Sequence, residues 1–156
     1  MAITDELEVL LREDIRQLHE LAALLKAEKD SLTASDVKAI APLTQQKNTL
    51  LEQVRERAKQ KIHILVKMGY RPESGSPSRF IRSAGLTELH DLWATAQLAL
   101  DECQAMNSIN SRIVSHLQKR LHRLSDIFRG ATGQQKLYGA SGEQTSVNQR
   151  TILASA

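Results

Sequence analysis

The chain has little of what stabilises a β-rich, disulfide-linked or membrane-spanning protein. It holds one cysteine, three prolines and five aromatic residues among 156. Because a single cysteine cannot form an internal disulfide, Cys103 is interpreted as a small core residue in a reducing compartment. No apolar run approaches the ~20 residues that span a bilayer, and the acidic start lacks the basic region of a signal peptide. These absences predict a cytoplasmic protein without membrane insertion.

The scarcity of aromatic residues also limits how the core is built. Apolar residues make up 41% of the chain, so the core must consist mainly of Leu, Ile, Val and Ala. This composition is typical of a helical bundle, and the length corresponds to one domain. We expect an all-α fold: a long antiparallel three-helix bundle resembling a coiled coil, followed by a glycine-rich C-terminal tail.

A seven-residue apolar repeat is the strongest pattern in the chain. Gaps of four and three residues alternate along it without a missed step, which predicts a long helix packed along its neighbours. We call these positions the heptad stripe. They are Leu89, Trp93, Ala96, Leu100, Cys103, Asn107, Asn110, Val114, Leu117, Leu121, Leu124 and Phe128.

Similar spacing predicts two earlier helices, so the helical region has helices over about 4–29, 35–69 and 86–129. Thr4 or Asp5 would cap the first helix. Asp14 is the single polar residue in the apolar stripe of that helix. Thr33 to Asp36 resembles a capping box for the second helix. Pro42 should kink that helix or mark a restart, because proline lacks an amide hydrogen. Prolines, glycine and serines over 70–84 predict a loop.

Two asparagines interrupt the heptad stripe at Asn107 and Asn110. Polar residues in a helical seam fix register and orientation at a cost in stability, which is the interpretation that we favour. The alternative is that they mark a gap where a partner helix docks.

The predicted helices differ in length, and this difference indicates a binding surface. If the second helix lies antiparallel to the third, the third helix outruns its partner at about Leu121. The segment from Lys119 to Arg129 is apolar on one face and basic on the other. An apolar face without cover on a soluble protein usually binds a partner. Its candidate partner-binding residues are Leu121, Leu124, Ile127 and Phe128.

The predicted tail, residues 131–156, has a different composition. From Gly130 onward the chain holds four of its seven glycines and few large apolar residues. We expect this tail to be mobile when free or to become ordered against a partner. Its apolar candidates for partner binding are Leu137, Val147, Ile152 and Leu153.

The sequence offers no recognisable catalytic or cofactor site. No two of the five histidines stand four residues apart, and no Glu-x-x-His pair or cysteine cluster suggests a metal centre. No glycine-rich phosphate loop follows a predicted strand. We therefore expect neither enzymatic activity nor a cofactor or metal.

Opposite charges on neighbouring helices allow two interpretations. Residues 1–30 carry eight acids and four bases, whereas residues 47–71 carry seven bases and two acids. Attraction between the first two helices is the interpretation that we favour. The alternative is a nucleic-acid-associated protein that binds through the basic face of the second helix, although no stacking aromatics accompany that face. The basic residues of that face are Arg55, Arg57, Lys59, Lys61 and Lys67. A third possibility is that the stripe supports a homodimer.

Three blocks of sequence together carry a resemblance to a known family. The most characteristic block, at residues 92–114, holds a tryptophan, then Cys-Gln, then two asparagines three residues apart. The other blocks are 10–18 with 43–51, and 138–142 with 150–156. In this order they resemble the FlgN family of flagellar export chaperones, the second block its amino-terminal half and the third its tail.

The resemblance implies a cytosolic chaperone for the hook-filament junction proteins of the bacterial flagellum. Chaperones of this family bind the C-terminal helical end of their clients, prevent premature assembly and deliver them to the export gate. The family's client-binding region corresponds here to the end of the third helix and the tail. The tail tyrosine implicated in docking to the gate corresponds to Tyr138.

Overall fold

The computed structural model describes residues 2–136 of the chain, and their side chains through residue 130. It confirms an all-α fold, because the described residues contain helices and no strand. The helices are α1 (Ile3–Thr33), α2 (Val37–Lys67), α3 (Pro77–Ser83) and α4 (Thr87–Lys136), with a short 3-10 turn at Pro72–Ser74.

The first helix begins earlier than its sequence suggested. Ala2, not Thr4 or Asp5, is the N-cap residue of α1. Asp5 lies one turn into the helix, and its carboxylate accepts a hydrogen bond from the Ala2 backbone N–H at 3.2 Å. An acid at this position also stabilises the positive end of the helix dipole.

The turn between α1 and α2 corrects the predicted capping box. The Thr33 hydroxyl donates back to the Lys29 carbonyl within α1, so it does not cap α2. Asp36 is instead the N-cap of α2, and its carboxylate accepts from the Ala39 N–H at 3.4 Å. Ser35 makes the reversal with a positive φ of 54°. The box predicted the right place for the turn but the wrong capping residue.

Proline and glycine have different effects on α2. Pro42 lies inside the helix, which runs on from Val37 to Lys67, so of the two predicted effects, a kink or a restart, the restart does not occur. Gly69 follows the helix with a φ of 106°, a left-handed conformation that glycine adopts without steric cost.

The segment over 70–84 is not simply a loop. Ser76 caps the short helix α3, whose first residue is Pro77, the position where a helix tolerates proline best. Ile81 of α3 and Tyr70 are both buried. The Tyr70 hydroxyl donates to the Gly75 carbonyl at 2.8 Å. This segment therefore closes one end of the helical core, and two apolar anchors hold it there.

The last helix continues beyond the predicted end at residue 129. Helix α4 passes through Gly130 and is described as far as Lys136. Within the described part of the chain and apart from the backbone of α4 itself, nothing lies within 4 Å of where a Cβ on Gly130 would be, so no close contact there requires glycine.

Hydrogen bonds between helices define their directions. Cys103 and Asn110 of α4 donate to the carbonyls of Leu18 and Leu25 in α1, each pair being 85 residues apart in sequence. A constant separation means that α1 and α4 run parallel. The residue numbers of the α2 partners fall as those of α1 rise: Asp14 pairs with Lys61, and Glu28 with Lys47. Helix α2 therefore runs antiparallel to α1.

The apolar core lies along α1, between α2 and α4. One buried cluster joins Leu7 and Leu11 of α1 to residues of all three other helices. A second joins Leu18, Leu21 and Leu25 to residues of α2 and α4. Both clusters are rich in leucine, and burying each such side chain contributes about 1.5–3 kcal/mol.

Within residues 2–136, no helix has an apolar stretch of the length and hydropathy that crossing a bilayer requires.

Candidate functional site

A buried ionic layer joins the three long helices near Asp14. The Asp14 carboxylate is buried and accepts hydrogen bonds from Lys61 and, at 3.1 Å, from Arg57. Lys61 Nζ also lies 4.9 Å from the centre of the Trp93 ring, a cation–π geometry. Two cations thus compensate one buried carboxylate, which would otherwise be costly to remove from water.

A second buried layer surrounds Glu28. Its carboxylate accepts from Lys47 at 3.0 Å and from the Thr44 hydroxyl at 3.2 Å. The Asn110 side-chain NH₂ donates to the Glu28 carboxylate and to the Leu25 carbonyl, both at 2.9 Å. Because both neighbours can only accept hydrogen bonds, the NH₂ group and not the amide oxygen must face them. Lys47 also donates to the Asn107 side chain at 3.3 Å. Both stripe asparagines therefore hydrogen bond to another helix.

The two layers repeat with the same sequence spacing. Asp14 and Glu28 of α1 are 14 residues apart, as are Lys61 and Lys47 of α2, and Trp93 and Asn107 of α4. Two heptads thus separate equivalent positions on all three helices. A slip of one helix by a single heptad would bring charged side chains opposite leucines, so the layers favour one register.

One of these two carboxylates is not among the predictions from the sequence. Asp14 is not the single polar residue of the first helical stripe, because Glu28 is a second. Glu28 follows Leu25 by three residues and precedes Leu32 by four, so it lies on the same stripe. This spacing could have identified it, since an acid at a core position requires a buried partner.

The predicted basic face of α2 is not one continuous surface. Arg57 and Lys61 point inward to Asp14, and only 11% and 13% of their side chains remain exposed. At the surface, Arg55 pairs with Glu52 at 3.1 Å and Lys59 with Glu56 at 3.8 Å. Four of the five proposed basic residues are therefore paired. This arrangement supports attraction between helices and disfavours the nucleic-acid alternative.

Cys103 occupies the core position expected from its place in the stripe. Its thiol donates to the Leu18 carbonyl at 3.3 Å and is buried. Burial raises the pKa of this thiol, because the thiolate would lose its hydration, and the nearby Glu102 carboxylate adds to the effect. A protonated, enclosed thiol is a poor nucleophile.

The far end of α4 extends beyond both of its neighbours. The 85-residue pairing of α4 with α1 puts Thr33, the last residue of α1, level with residue 118. The pairs Lys47–Asn107 and Lys61–Trp93 put Val37, the first residue of α2, level with Leu117. We call residues 119–136 of α4 the overhang. It is about 27 Å long at 1.5 Å per residue.

Exposure changes at this boundary. Asn110 is the last buried stripe residue, and Val114 and Leu117 are half-buried. Beyond them all four predicted partner-binding residues of the helix are exposed, with large apolar side chains. The exposed fractions are 39% for Leu121, 61% for Leu124, 69% for Ile127 and 72% for Phe128.

The overhang is also basic. Its positions through residue 130 include Lys119, Arg120 and Arg123, and none of these three forms an ion pair within residues 2–130. The acid there, Asp126, lies 3.6 Å from His122. The exposed apolar positions thus lie in a segment of net positive charge.

Five predicted site residues lie outside the described part of the chain. They are Leu137, Tyr138, Val147, Ile152 and Leu153. Among the described residues, no three His, Cys, Asp or Glu side chains come together as metal ligands would.

Comparison with known proteins gives the family of the chain. It has no match among curated proteins or among solved structures. The family model described as FlgN protein matches residues 1–146, which include the ionic layers, the whole of α4 and the first part of the tail. The resemblance noted in the sequence is confirmed, and the chain belongs to the FlgN family of flagellar export chaperones.

Proposed function

We propose that this protein is a cytoplasmic chaperone of the hook-filament junction proteins. In this proposal, three long helices form a bundle that serves as scaffold, and the overhang with the glycine-rich tail binds the C-terminal helical segments of the clients. Binding keeps the clients from assembling prematurely and delivers them to the export gate. This role requires binding and release only, so we propose no catalysis, cofactor or metal.

The observation that carries this proposal is the exposure of the overhang. The heptad stripe continues into it, yet α1 and α2 both end before Leu121. An apolar helix face of this kind binds an amphipathic helix by covering side chains spaced three and four residues apart. We expect the C-terminal helical segments of the proposed clients to present such an apolar face.

The expected energetics suit reversible binding. Burying an apolar side chain contributes about 1.5–3 kcal/mol, and association costs several kcal/mol in lost freedom. Four anchors in the overhang would therefore support useful affinity without preventing release. If the tail becomes ordered on binding, part of its interaction energy offsets the entropy of ordering, which also favours release.

A matched pair of leucines on α4 tests the proposed surface. Leu124 in the overhang and Leu98 in the covered part are both 61% exposed. We expect Leu124→Ser to weaken binding of a purified junction protein by about tenfold or more, the usual effect of losing a central apolar anchor. Leu98→Ser should leave the affinity unchanged. Titration calorimetry measures both, and equal effects of the two substitutions would contradict the assignment.

Export-gate docking is proposed for Tyr138 and needs a separate test. Tyr138→Ala in the full chain should leave client affinity unchanged while reducing secretion of the junction proteins into the medium. A parallel loss of client binding would show that Tyr138 belongs to the client site instead.

Partner capture tests the wider assignment without naming a client beforehand. The full chain and residues 1–130 would each be used to retain proteins from the native cytosol, with identification by mass spectrometry. We expect junction proteins with the full chain and a weaker yield without the tail. The same experiment, with sedimentation at several concentrations, tests whether a homodimer forms.

A further inference from the structure

A second regular set of positions runs along α4, on the side away from the heptad stripe. Its gaps also alternate between four and three residues, and each member lies two residues, or about 200° around the helix, from a member of the heptad stripe. We call this set the outer stripe, and all of its members are exposed. They are Asp91, Thr95, Leu98, Glu102, Ala105, Ile109, Arg112, His116, Lys119 and Arg123.

Charge divides this side of α4 into two halves. Residues 87–111 contain four acids and neither lysine nor arginine, whereas residues 112–129 contain five lysines and arginines and one acid. On the outer stripe, Asp91 and Glu102 therefore precede Arg112, Lys119 and Arg123. Acids and bases of this stripe are at least ten residues apart, so they cannot pair along one helix, where partners stand three or four residues apart.

The other long helices treat their surface charges differently. The surface arginines of α1 and α2 pair with acids three or four residues away in the same helix, as Arg12 does with Glu8 at 2.9 Å. On the outer stripe, Glu102, Arg112 and Arg123 form no ion pair within residues 2–130. Both halves of the stripe thus keep charge available for a partner.

The spacing of these charges is self-complementary. Asp91 and Glu102 are 11 residues apart, and so are Arg112 and Arg123. When two copies of α4 run antiparallel, Asp91 can lie opposite Arg123 of the second copy while Glu102 lies opposite its Arg112. A two-fold axis makes each of these pairs form twice, because such an interface uses the same surface on both copies.

Small and apolar residues occupy the centre of the same arrangement. The register that pairs the charges puts Ala105 opposite Ile109 of the second copy, beside the two-fold axis, and Leu98 opposite His116. Leu98 is 61% exposed and Ile109 is 40% exposed in the single chain. Apolar residues at four- and three-residue spacing support helix pairing, and the alanine allows the helices to approach closely.

We propose that the outer stripe is the interface of a homodimer in which two α4 helices pack antiparallel between residues 91 and 123. Charge complementarity identifies the second copy as the occupant, since it supplies both signs at the required spacing and in the required direction. The heptad stripe, with Leu121 and Phe128 of the proposed client surface, lies on the other side of α4 and stays open. This dimer goes beyond the proposed chaperone function and does not depend on it.

Charge exchange across the interface tests the proposal. Sedimentation equilibrium of the full chain at low salt measures the dimer dissociation constant. Glu102→Lys and Arg112→Glu should each weaken the dimer by about tenfold or more, because each places like charges opposite one another in both pairs. The two substitutions combined in one chain make the facing charges opposite again and should restore the dissociation constant to within about threefold of the native value.

A control substitution and the remaining outcomes make the test decisive. Glu73→Lys changes the net charge as Glu102→Lys does, but at an exposed position outside the outer stripe, so it should leave the dimer unchanged. A native chain that stays monomeric throughout the concentration series would overturn the proposal. A dimer that tolerates both single reversals, or that the combined variant fails to restore, would show that another surface joins the two copies.

Discussion

The covered and the overhanging parts of α4 share one apolar spacing and differ in their surroundings. In the covered part, Ala96, Cys103 and Asn110 are buried against α1. In the overhang, Leu124 and Phe128 hold the same stripe positions and are exposed. The comparison shows that a heptad pattern specifies which side of a helix is apolar but not which chain covers it.

The largest contrast should come from two aspartates, one in the α1 surface that packs against the covered part of α4 and one in the overhang. Asp14→Asn would leave Arg57 and Lys61 near the core without their carboxylate, so we expect a loss of about 3–5 kcal/mol in the free energy of unfolding. Asp126→Asn removes only the exposed contact with His122 and should cost less than about 0.5 kcal/mol. Urea unfolding followed by circular dichroism measures both. Similar losses would mean that the Asp14 layer is not buried as described.

Leucine truncation should separate the core beside the covered part of α4 from the overhang nearly as clearly. Leu11 is fully buried in a core cluster, and Leu11→Ala should destabilise the protein by about 2–5 kcal/mol through lost burial and a cavity. Leu124→Ala in the overhang should change the free energy of unfolding by no more than about 0.5 kcal/mol. The same unfolding experiment serves here, and a large loss for Leu124→Ala would show that the overhang packs within the free protein.

The two seam asparagines should differ by a smaller amount. Asn110 is buried and makes two hydrogen bonds to α1, so Asn110→Ala should cost about 1–3 kcal/mol. Asn107 is half-buried and accepts one bond from Lys47, which keeps Glu28 as a partner, so Asn107→Ala should cost about 0.5–1.5 kcal/mol. Stability measurements on both variants test the proposed role in register, and a gain in stability for Asn110→Ala would contradict it.

The smallest effect concerns Cys103 at high pH. Because its pKa is raised in the folded state, the thiol is protonated in both states below its ordinary value of 9.0. Above that pH the unfolded thiol ionises first, so its contribution to stability is lost as the pH rises through the folded pKa. The stability difference between the native chain and Cys103→Ala should therefore shrink from pH 8 to pH 10.

Alkylation supplies a kinetic version of the same comparison. Cys103 should react with iodoacetamide much more slowly than a cysteine introduced by Leu124→Cys in the Cys103→Ala background, since only the second thiol is exposed. Equal rates would mean that the covered part of α4 opens readily.

Apolar spacing predicted much of the fold. The predictions that were wrong concern the ends and connections of helices, where two local structures fit the same residues. The Thr33 to Asp36 segment fits a capping box, but α1 continues to Thr33 and uses that hydroxyl within its own last turn. The 70–84 segment has the composition of a loop, yet Ile81 packs into the core and draws a short helix with it. In the first case two local uses of one hydroxyl compete. In the second, burial of Ile81 among residues distant in sequence decides a local choice that the sequence left open.

Spacing alone determined that the chain is helical, which side of each helix is apolar and that its last helix outruns the others. These properties follow from the 3.5-residue repeat and from the positions of glycine and proline, which act within a few residues. Tertiary structure alone decided that Glu28 binds Lys47 and Asn110. It also decided that Arg57 and Lys61 pair with the buried Asp14, and which stripe residues are covered. The reason is physical: charge pairing and burial depend on which residues of other helices come within contact distance, and periodicity carries no such information.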